Sequence, residues 1–300
     1  MKKKTYLFAL MAMALTLGSC SDNENGIGGE TSKYITVSTS IGNMTRVATD
    51  EKGGQTFEEG DEISVYAWTG DATVAPETRE RVVNNAINKL TNGSWVSTPQ
   101  MLWKNNREKH YFIGVYPTAA ISDLSAGEYT FDANKQTESD LLVAVNKDGL
   151  SYNVDEQQPV PLTFTHVMAK LVVNLTYKNQ WGGIPTVEKV VVGNAAKEAT
   201  INYLTKVVTP STTAKEDFSL PEITENTKYV SVIIPQEEVT QLTIVIGGKN
   251  FVYDNGTPFK LESGKITTVN LEVGRDEIKL GDVKITNWED GSTFSGEALN

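Results

Sequence analysis

Cys20 is the residue whose type and position most directly suggest chemistry. It is the only cysteine of the chain, and it closes the segment Leu17-Gly18-Ser19-Cys20 after an apolar run that is too short to span a bilayer as a stable helix. Lysines at residues 2–4 precede that run, as in a secretory signal peptide. In bacterial lipoproteins a thiol in this setting receives a diacylglycerol, and the peptide bond before it is cut. We therefore predict a signal peptide over residues 1–19 and lipidation of Cys20. The alternative is an ordinary secretory peptide whose cysteine is incidental.

The histidines do not form a catalytic or metal-binding pattern. The chain has two, His110 and His166, which lie far apart and outside any His-Glu-x-x-His frame. The Gly-x-Ser-x-Gly elbow and the glycine-rich phosphate-binding loops are also missing from the sequence. Strand alternation places His166 on the face of Leu162 and Phe164, which favours a hydrogen-bonded core histidine over a base. We expect no metal, no cofactor and no nucleotide chemistry.

A cluster of acids is the remaining candidate for catalysis. Paired carboxylates can hydrolyse glycosides without histidine, and Glu58, Glu59, Asp61 and Glu62 lie close together. However, they precede a strand pattern in the way a turn does, and charge runs are usually exposed. We interpret them as a solvated turn and expect that the protein is not an enzyme.

The charge excludes one class of partner. The formal net charge is −11, and it becomes −14 when residues 1–19 are removed, because that segment holds three lysines and no acid. Nucleic-acid binding needs a clustered basic face, which this acidic chain lacks. After the signal peptide no apolar run is long enough for a membrane-spanning helix, so attachment would depend on the lipid. Residues 20–32 are polar and glycine-rich, which predicts a flexible tether to that lipid.

From Lys33 onward the pattern is typical of an all-β protein. Apolar residues alternate with polar ones in short runs that Gly, Asn, Asp and Pro interrupt. The spacing suits β-sandwiches. Predicted strands cover residues 34–41, 62–68, 111–116, 127–131, 141–145, 160–177, 187–192, 229–234, 242–246, 251–253, 265–273 and 281–287.

Three further features predict local structure and domain organisation. Apolar residues recur near helical spacing over residues 76–90, which makes this the best helix candidate, although its asparagines are poor helix formers. Asn255-Gly256 predicts a tight hairpin between residues 251–253 and 259–261. A polar, proline-terminated run at residues 155–159 separates two strand-rich halves. We therefore predict domains over residues 33–157 and 158–300.

Several segments occur in an order that resembles the fimbrillin family of Bacteroidota. After the lipidation motif come a strand that ends before Thr45-Arg46, the run from Phe57 to Tyr66, and the strand that starts at Tyr111. The strand that contains His166 and a closing Asn287-Trp288 complete the order. The resemblance implies two tandem β-sandwich domains of transthyretin-like type and a role as subunit, anchor or accessory protein of a type V pilus involved in adhesion.

The resemblance also implies how such a protein would mature. A lipidated precursor reaches the surface of the outer membrane, an arginine-specific protease cuts after the first strand, and a strand of another pilin subunit fills the groove that is left. Here the cut would fall between Arg46 and Val47. The displaced strand would carry the apolar residues Ile35, Val37 and Ile41, and the cleaved protein would belong to the pilus. The alternative is that Arg46 is an ordinary loop arginine.

The C-terminal tail departs from this pattern. Residues 289–300 are polar and carry few apolar side chains, so they would make a poor donor strand. Either the segment from Val283 to Trp288 is the donor, or the protein accepts strands without giving one. A second hypothesis is a surface lipoprotein that binds glycans on a platform of aromatic side chains. Its candidate residues are Trp68, Trp95, Trp103 and Trp181.

Overall fold

β-Strands make up most of the described chain. The computed structural model describes residues 33–42, 56–152, 158–239, 241–253 and 258–288. Short 3-10 helices span Thr78–Glu80 and Asn179–Trp181, and no helix within these ranges is long and apolar enough to cross a membrane. The strands are β1 (Val37–Ile41), β2 (Glu62–Thr69), β3 (Arg81–Thr91), β4 (Ser94–Thr98), β5 (His110–Tyr116), β6 (Gly127–Thr130), β7 (Leu142–Leu150), β8 (Val160–His166), β9 (Ala169–Tyr177), β10 (Val187–Ala196), β11 (Glu198–Asn202), β12 (Val207–Pro210), β13 (Lys215–Ser219), β14 (Glu222–Thr224), β15 (Lys228–Ile233), β16 (Gln236–Val239), β17 (Leu242–Ile246), β18 (Lys249–Tyr253), β19 (Phe259–Leu261), β20 (Lys265–Val273) and β21 (Ile278–Asn287).

A seven-stranded sheet contains the first strand. Its order is β1-β8-β7-β5-β2-β3-β4, and all neighbours are antiparallel except β1 and β8, which are parallel. Both faces of its central strands are buried, since alternate residues of β2 enter two different hydrophobic clusters. One of these clusters, called the β1 core below, contains β1 itself. Its members are Ile35, Val37, Ile41, Ile63, Val65, Ala67, Val83, Ala86, Met101, Phe112, Leu142, Ala144, Val160, Leu162 and Phe164.

The second half of the chain forms a β-sandwich. A four-stranded sheet of order β13-β10-β17-β18 faces a five-stranded sheet of order β14-β15-β9-β20-β21. Alternate apolar residues of both sheets meet in one cluster, to which β10 contributes Val190 and β20 contributes Leu271. Two smaller sheets, β12-β11-β6 and β16-β19, complete the architecture. The prediction of an all-β fold of sandwich type is confirmed.

The sequence prediction of one strand over residues 160–177 was wrong in one respect. The segment is broken at Val167 and Met168 into β8 and β9, which belong to the seven-stranded and five-stranded sheets. Buried apolar residues recur before, at and after the break, because both strands contribute to the core. Alternation alone therefore did not reveal where the chain changes sheets.

The predicted helix over residues 76–90 was also wrong. A 3-10 turn is followed by β3, which pairs with β2 and β4. Its register shifts between the pairs Val65–Ala86 and Ala67–Val83, where one residue of β2 faces two residues of β3. Asn85 lies in this bulge with φ of 57°. Because of the bulge, the buried residues Val83 and Ala86 are three positions apart instead of two, and this spacing resembles that of a helix.

The hairpin predicted at Asn255-Gly256 does not form, because its two arms belong to different sheets. β18 pairs with β17, whereas β19 pairs with β16. Residues 254–257 lie outside the described residues. The tight turn instead lies at Gly247 and Gly248, whose φ values of 59° and 72° suit a two-residue hairpin between β17 and β18.

The domain boundaries stay a prediction. The predicted boundary, between residues 157 and 158, adjoins residues 153–157, which lie outside the described part. β8 follows that boundary in sequence but pairs with β1 and β7 of the seven-stranded sheet.

Candidate functional site

The first strand is held along one edge by β8. The parallel register runs from Val37 opposite Val160 to Ile41 opposite Phe164. At one end Val160 N–H donates to Thr36 O at 2.8 Å, and at the other Gly42 N–H donates to Phe164 O at 2.8 Å. The ladder joins backbone groups, which any strand offers, and one side-chain bond adds to it, because Ser40 Oγ donates to Thr163 Oγ1 at 3.2 Å.

The residues just before β1 are held on their other edge by a second segment. Ile35 N–H donates to Met101 O at 2.9 Å, and Trp103 N–H donates to Lys33 O at 3.1 Å. Tyr34 forms an antiparallel bridge with Leu102 between these two bonds. Residues 33–35 thus pair with the segment around Leu102 and residues 36–42 pair with β8, so removing them would leave unpaired N–H and C=O groups in both of these neighbours.

The inward side chains of this segment complete the β1 core. Ile35, Val37 and Ile41 are 2%, 6% and 7% exposed, which confirms the alternation predicted for this strand. Burying an aliphatic side chain of this size contributes about 1.5–3 kcal/mol. The strand therefore contributes to the core by apolar burial as well as by its backbone ladder. Without it, the core side chains of Phe112, Leu162 and their neighbours would face an open groove, called the β1 groove below.

The β1 groove has one polar position. Thr39 is also inward-facing, between Val37 and Ile41, and its Oγ1 accepts a hydrogen bond from Nε1–H of Trp95 at 2.9 Å. Trp95 lies on β4 and packs edge-on against Phe57, with ring centroids 5.3 Å apart. The contact attaches β1 to the far edge of the seven-stranded sheet.

An aromatic cluster closes the groove at the end of β1. Phe57 makes edge-on contacts with Trp95, Tyr116 and Phe164 at centroid distances of 5.1–5.3 Å. Phe57 is also among the first described residues after the segment 43–55. The chain is thus anchored at Gly42 before that segment and at Phe57 after it.

A cavity of about 560 Å³ adjoins this end of the groove, and two pairs of its polar side chains are hydrogen-bonded to each other. His166 Nδ1 lies 2.8 Å from Asp140 Oδ1, and the His166 ring stacks on Trp288 at 4.0 Å. The Tyr116 hydroxyl donates to Asp61 Oδ1 at 3.3 Å. Burial, reinforced by the charge of Asp61, raises the pKa of Tyr116 to about 12. The prediction that His166 is a hydrogen-bonded, mainly buried residue is confirmed.

The other residues considered for catalysis have structural contacts. The Nε2 atom of buried His110 accepts from Lys104 N–H at 3.1 Å, while its Nδ1 contacts Glu108 O at 3.1 Å. Burial lowers the pKa of His110, which favours the neutral ring. Among the described residues, no group of three or more His, Cys, Asp or Glu side chains could hold a metal ion.

The acid cluster is a turn that leads into β2, as predicted; Glu58 and Glu59 are exposed, whereas Asp61 and Glu62 are half-buried. Glu59 accepts from Asn92 N–H in the β3–β4 turn, and Glu62 pairs with Lys89 at 2.9 Å. Asp61 accepts from Glu58 N–H at 2.7 Å, which closes the turn. These carboxylates are used by neighbouring backbone and lysine groups.

The four tryptophans of the glycan-binding hypothesis are distributed over different parts of the fold. Trp68 is buried, and with Trp103 it borders a cavity of about 800 Å³. Trp95 packs against the β1 core, and Trp181 packs against Phe251 in the sandwich. They do not form the common platform that this hypothesis requires.

β21 is an edge strand of the five-stranded sheet. It pairs with β20, and between the pairs Val269–Val283 and Leu271–Leu280 it contains one extra residue. This bulge places all four apolar residues of β21 on the face of the sheet that is directed towards the core. Two of them, Val283 and Ile285, remain 36% and 38% exposed. The strand considered as a donor is therefore paired along one edge and only partly covered.

The remaining predicted site residues lie outside the described part of the chain. They are Cys20, Arg46 and Val47, so lipidation and cleavage stay predictions. Sequence reasoning named Trp95 only as a candidate for glycan binding and missed its contact with Thr39, because β4 was not predicted. The signal was the dipeptide Asn92-Gly93, whose φ values of 51° and 72° form the β3–β4 hairpin turn.

Known proteins share this architecture and sequence pattern. The family model described as fimbrillin-like matches residues 45–288. A Bacteroides uniformis protein described as a fimbrium subunit, Fim1C, is 24% identical over 316 residues, which cover 97% of each chain. A solved structure described as a cell adhesion protein of Bacteroides ovatus has a TM-score of 0.64 at 17% identity, covering 85% of this chain and 98% of that chain. A fimbrial protein of Bacteroides vulgatus has a TM-score of 0.56 at 13% identity, covering 84% of this chain and 99% of that chain.

The two structural matches show a shared fold and nothing more, because their sequence identities of 17% and 13% are low. The match to the fimbrillin-like family model is stronger evidence of family membership, because it covers residues 45–288, from just after the first strand to Trp288. We conclude that this chain belongs to the fimbrillin-like family.

Proposed function

We propose that the protein is a structural, non-enzymatic subunit of a cell-surface pilus that takes part in adhesion and accepts a strand from a neighbouring subunit in the β1 groove. The observation that carries this proposal is the way β1 is bound. A backbone ladder joins β1 to β8, and the residues just before β1 pair with the segment around Leu102. The inward side chains of Ile35, Val37 and Ile41 complete a core that the rest of the chain otherwise provides. A strand of similar alternation from another subunit could restore both kinds of contact.

Maturation by cleavage between Arg46 and Val47 would make β1 replaceable. The bond lies in the segment that joins Gly42 to Phe57, and both of these residues are fixed by contacts of their own. After the cut β1 would be held by non-covalent contacts alone. The body of the protein would keep Phe57 and with it the closed end of the groove.

The proposed lipid anchor lies on the same side of the cut as β1. With Cys20 acylated, the uncut chain would be held at the surface of the outer membrane as a lipoprotein. Cleavage after Arg46 would leave Cys20 and β1 together in one fragment. Departure of that fragment would therefore open the groove and free the body from the membrane in the same event.

Whether the protein also donates a strand depends on β21. As a donor it would have to leave β20, with which it pairs from Ile278 to Asn287. Trp288, stacked on His166, further attaches its end to the β8 region. We therefore propose the acceptor role as the primary one, which suits a tip or an accessory subunit.

The N-terminus of the protein taken from the surface of its native cells tests this proposal. We expect mass spectrometry to find a wild-type chain that begins at Val47, and an Arg46→Ala variant that begins at acylated Cys20. Arg79→Ala is the matched control, because the Arg79 side chain is 79% exposed in another turn and should not affect processing. A wild-type surface protein that keeps Arg46 would contradict strand removal and would indicate a membrane-held anchor or a binding lipoprotein.

A further inference from the structure

The β1 groove contains a hydrogen-bond donor that an aliphatic strand would not satisfy. Inward positions of the segment alternate as Ile35, Val37, Thr39 and Ile41, so one polar side chain occurs among three apolar ones. The Thr39 hydroxyl accepts from the Trp95 indole N–H at 2.9 Å. Indole nitrogen can only donate a hydrogen bond, so the partner at this position must be an acceptor.

The Trp95 ring is held in place by its neighbours. It contacts Phe57 edge-on with ring centroids 5.3 Å apart, and Trp95 packs against the β1 core as a partly buried residue. Phe57 in turn contacts Phe164 at 5.1 Å, so the indole is part of a connected aromatic cluster. The direction of its N–H is therefore set by residues that would stay with the body of the protein when β1 leaves.

This inference rests on the proposed function, since it concerns the strand that replaces β1. We propose that Trp95 is a specificity determinant of the groove: it selects donor strands that carry a small side-chain acceptor at the inward position that Thr39 now occupies. Serine, threonine, asparagine and aspartate meet this requirement. A valine or leucine would cover the partly buried indole N–H without replacing its hydrogen bond, which is unfavourable for a polar group that loses contact with water.

The experiment uses the full-length chain in detergent, with residues 44–49 replaced by the site of a sequence-specific protease. After cutting, a fluorescent peptide of residues 33–42 competes with the bound β1, and its affinity is measured by anisotropy. We compare the native peptide with Thr39→Val and Thr39→Ser peptides. The matched control is Ser38→Val, because Ser38 is exposed on the opposite face of the strand.

We expect Thr39→Val to weaken binding by roughly 10-fold or more, because a covered N–H is left unsatisfied. Thr39→Ser and Ser38→Val should stay within about 3-fold of the native peptide. In a Trp95→Phe chain, which keeps an aromatic ring but has no N–H, the preference for threonine over valine should disappear. That last comparison separates the hydrogen bond from the general effect of side-chain shape.

The outcomes distinguish the two proposals. If the native peptide does not enter the cut protein, strand exchange at β1 is refuted. If the native and Thr39→Val peptides enter equally well, exchange stands and selection by Trp95 is refuted. A preference for threonine that persists in the Trp95→Phe chain would also overturn the assignment to Trp95.

Discussion

Ile35→Ala measures how strongly the first strand is bound to the core. Ile35 is 2% exposed and lies in the β1 core with Met101 and Phe112. Truncating a buried isoleucine to alanine costs about 2–5 kcal/mol, through lost transfer free energy and the cavity left behind. The backbone bond from Ile35 N–H to Met101 O should survive, since alanine keeps the amide. We therefore expect the free energy of unfolding to fall by about 3 kcal/mol, near the lower part of that range.

Equilibrium denaturation in urea, followed by tryptophan fluorescence and circular dichroism, measures this change. For a chain of this size the loss corresponds to a fall in Tm of roughly 6–12 °C. The matched control is Ser38→Ala, an exposed position of the same strand, which should change stability by less than about 0.5 kcal/mol. If Ile35→Ala were as mild as the control, β1 would not be packed into the core, and the reasoning for a β1 groove would fail.

Two further substitutions test the surroundings of the groove. Gly114→Ala should destabilise the protein by about 1–3 kcal/mol, because an added Cβ would lie 2.6 Å from Cζ of Phe164. Thermal unfolding measures the loss. Unchanged stability would mean that the Phe164 ring can move away from the added methyl group. Tyr116 should ionise only near pH 12, because burial and the charge of Asp61 raise its pKa from 10.0. The folded-state pKa lies above the unfolded one, so the stability that this difference supplies is present below pH 10 and is lost as the pH rises through 12. A difference titration of tyrosinate absorbance between the wild type and Tyr116→Phe measures this pKa. If the variant lacked tyrosinate absorbance that the wild type gains near pH 10, Tyr116 would ionise normally and the prediction would be wrong.

The elements predicted well are those in which burial follows the strand period without interruption. β17 and β20 were predicted with their observed bounds, because β20 alternates buried and more exposed residues from Thr267 to Val273 and β17 is a short apolar run rich in β-branched residues. The inward residues Ile35, Val37 and Ile41 were identified in the same way, and all three are buried. In these segments the local pattern and the tertiary environment agree.

The elements predicted poorly are those in which tertiary pairing changes the local period. The bulge at Asn85 gives β3 a helix-like spacing, and only its pairing with β2 and β4 reveals a strand. For the hairpin, Asn255-Gly256 and Gly247-Gly248 are both suitable turns in sequence. Which pair is used depends on how β17, β18 and β19 are distributed among the sheets, a long-range property.

The sequence by itself determined the all-β class, the burial of the first strand and the resemblance to fimbrillins, because these depend on residue type, alternation and order along the chain. Only the tertiary structure decided that β1 lies parallel to β8, that the residues just before β1 pair with the segment around Leu102, and that Trp95 donates to Thr39. These contacts join residues 56 or more positions apart in sequence. A local pattern sets which face of a strand is buried, but the partner on that face is chosen by the packing of the whole chain.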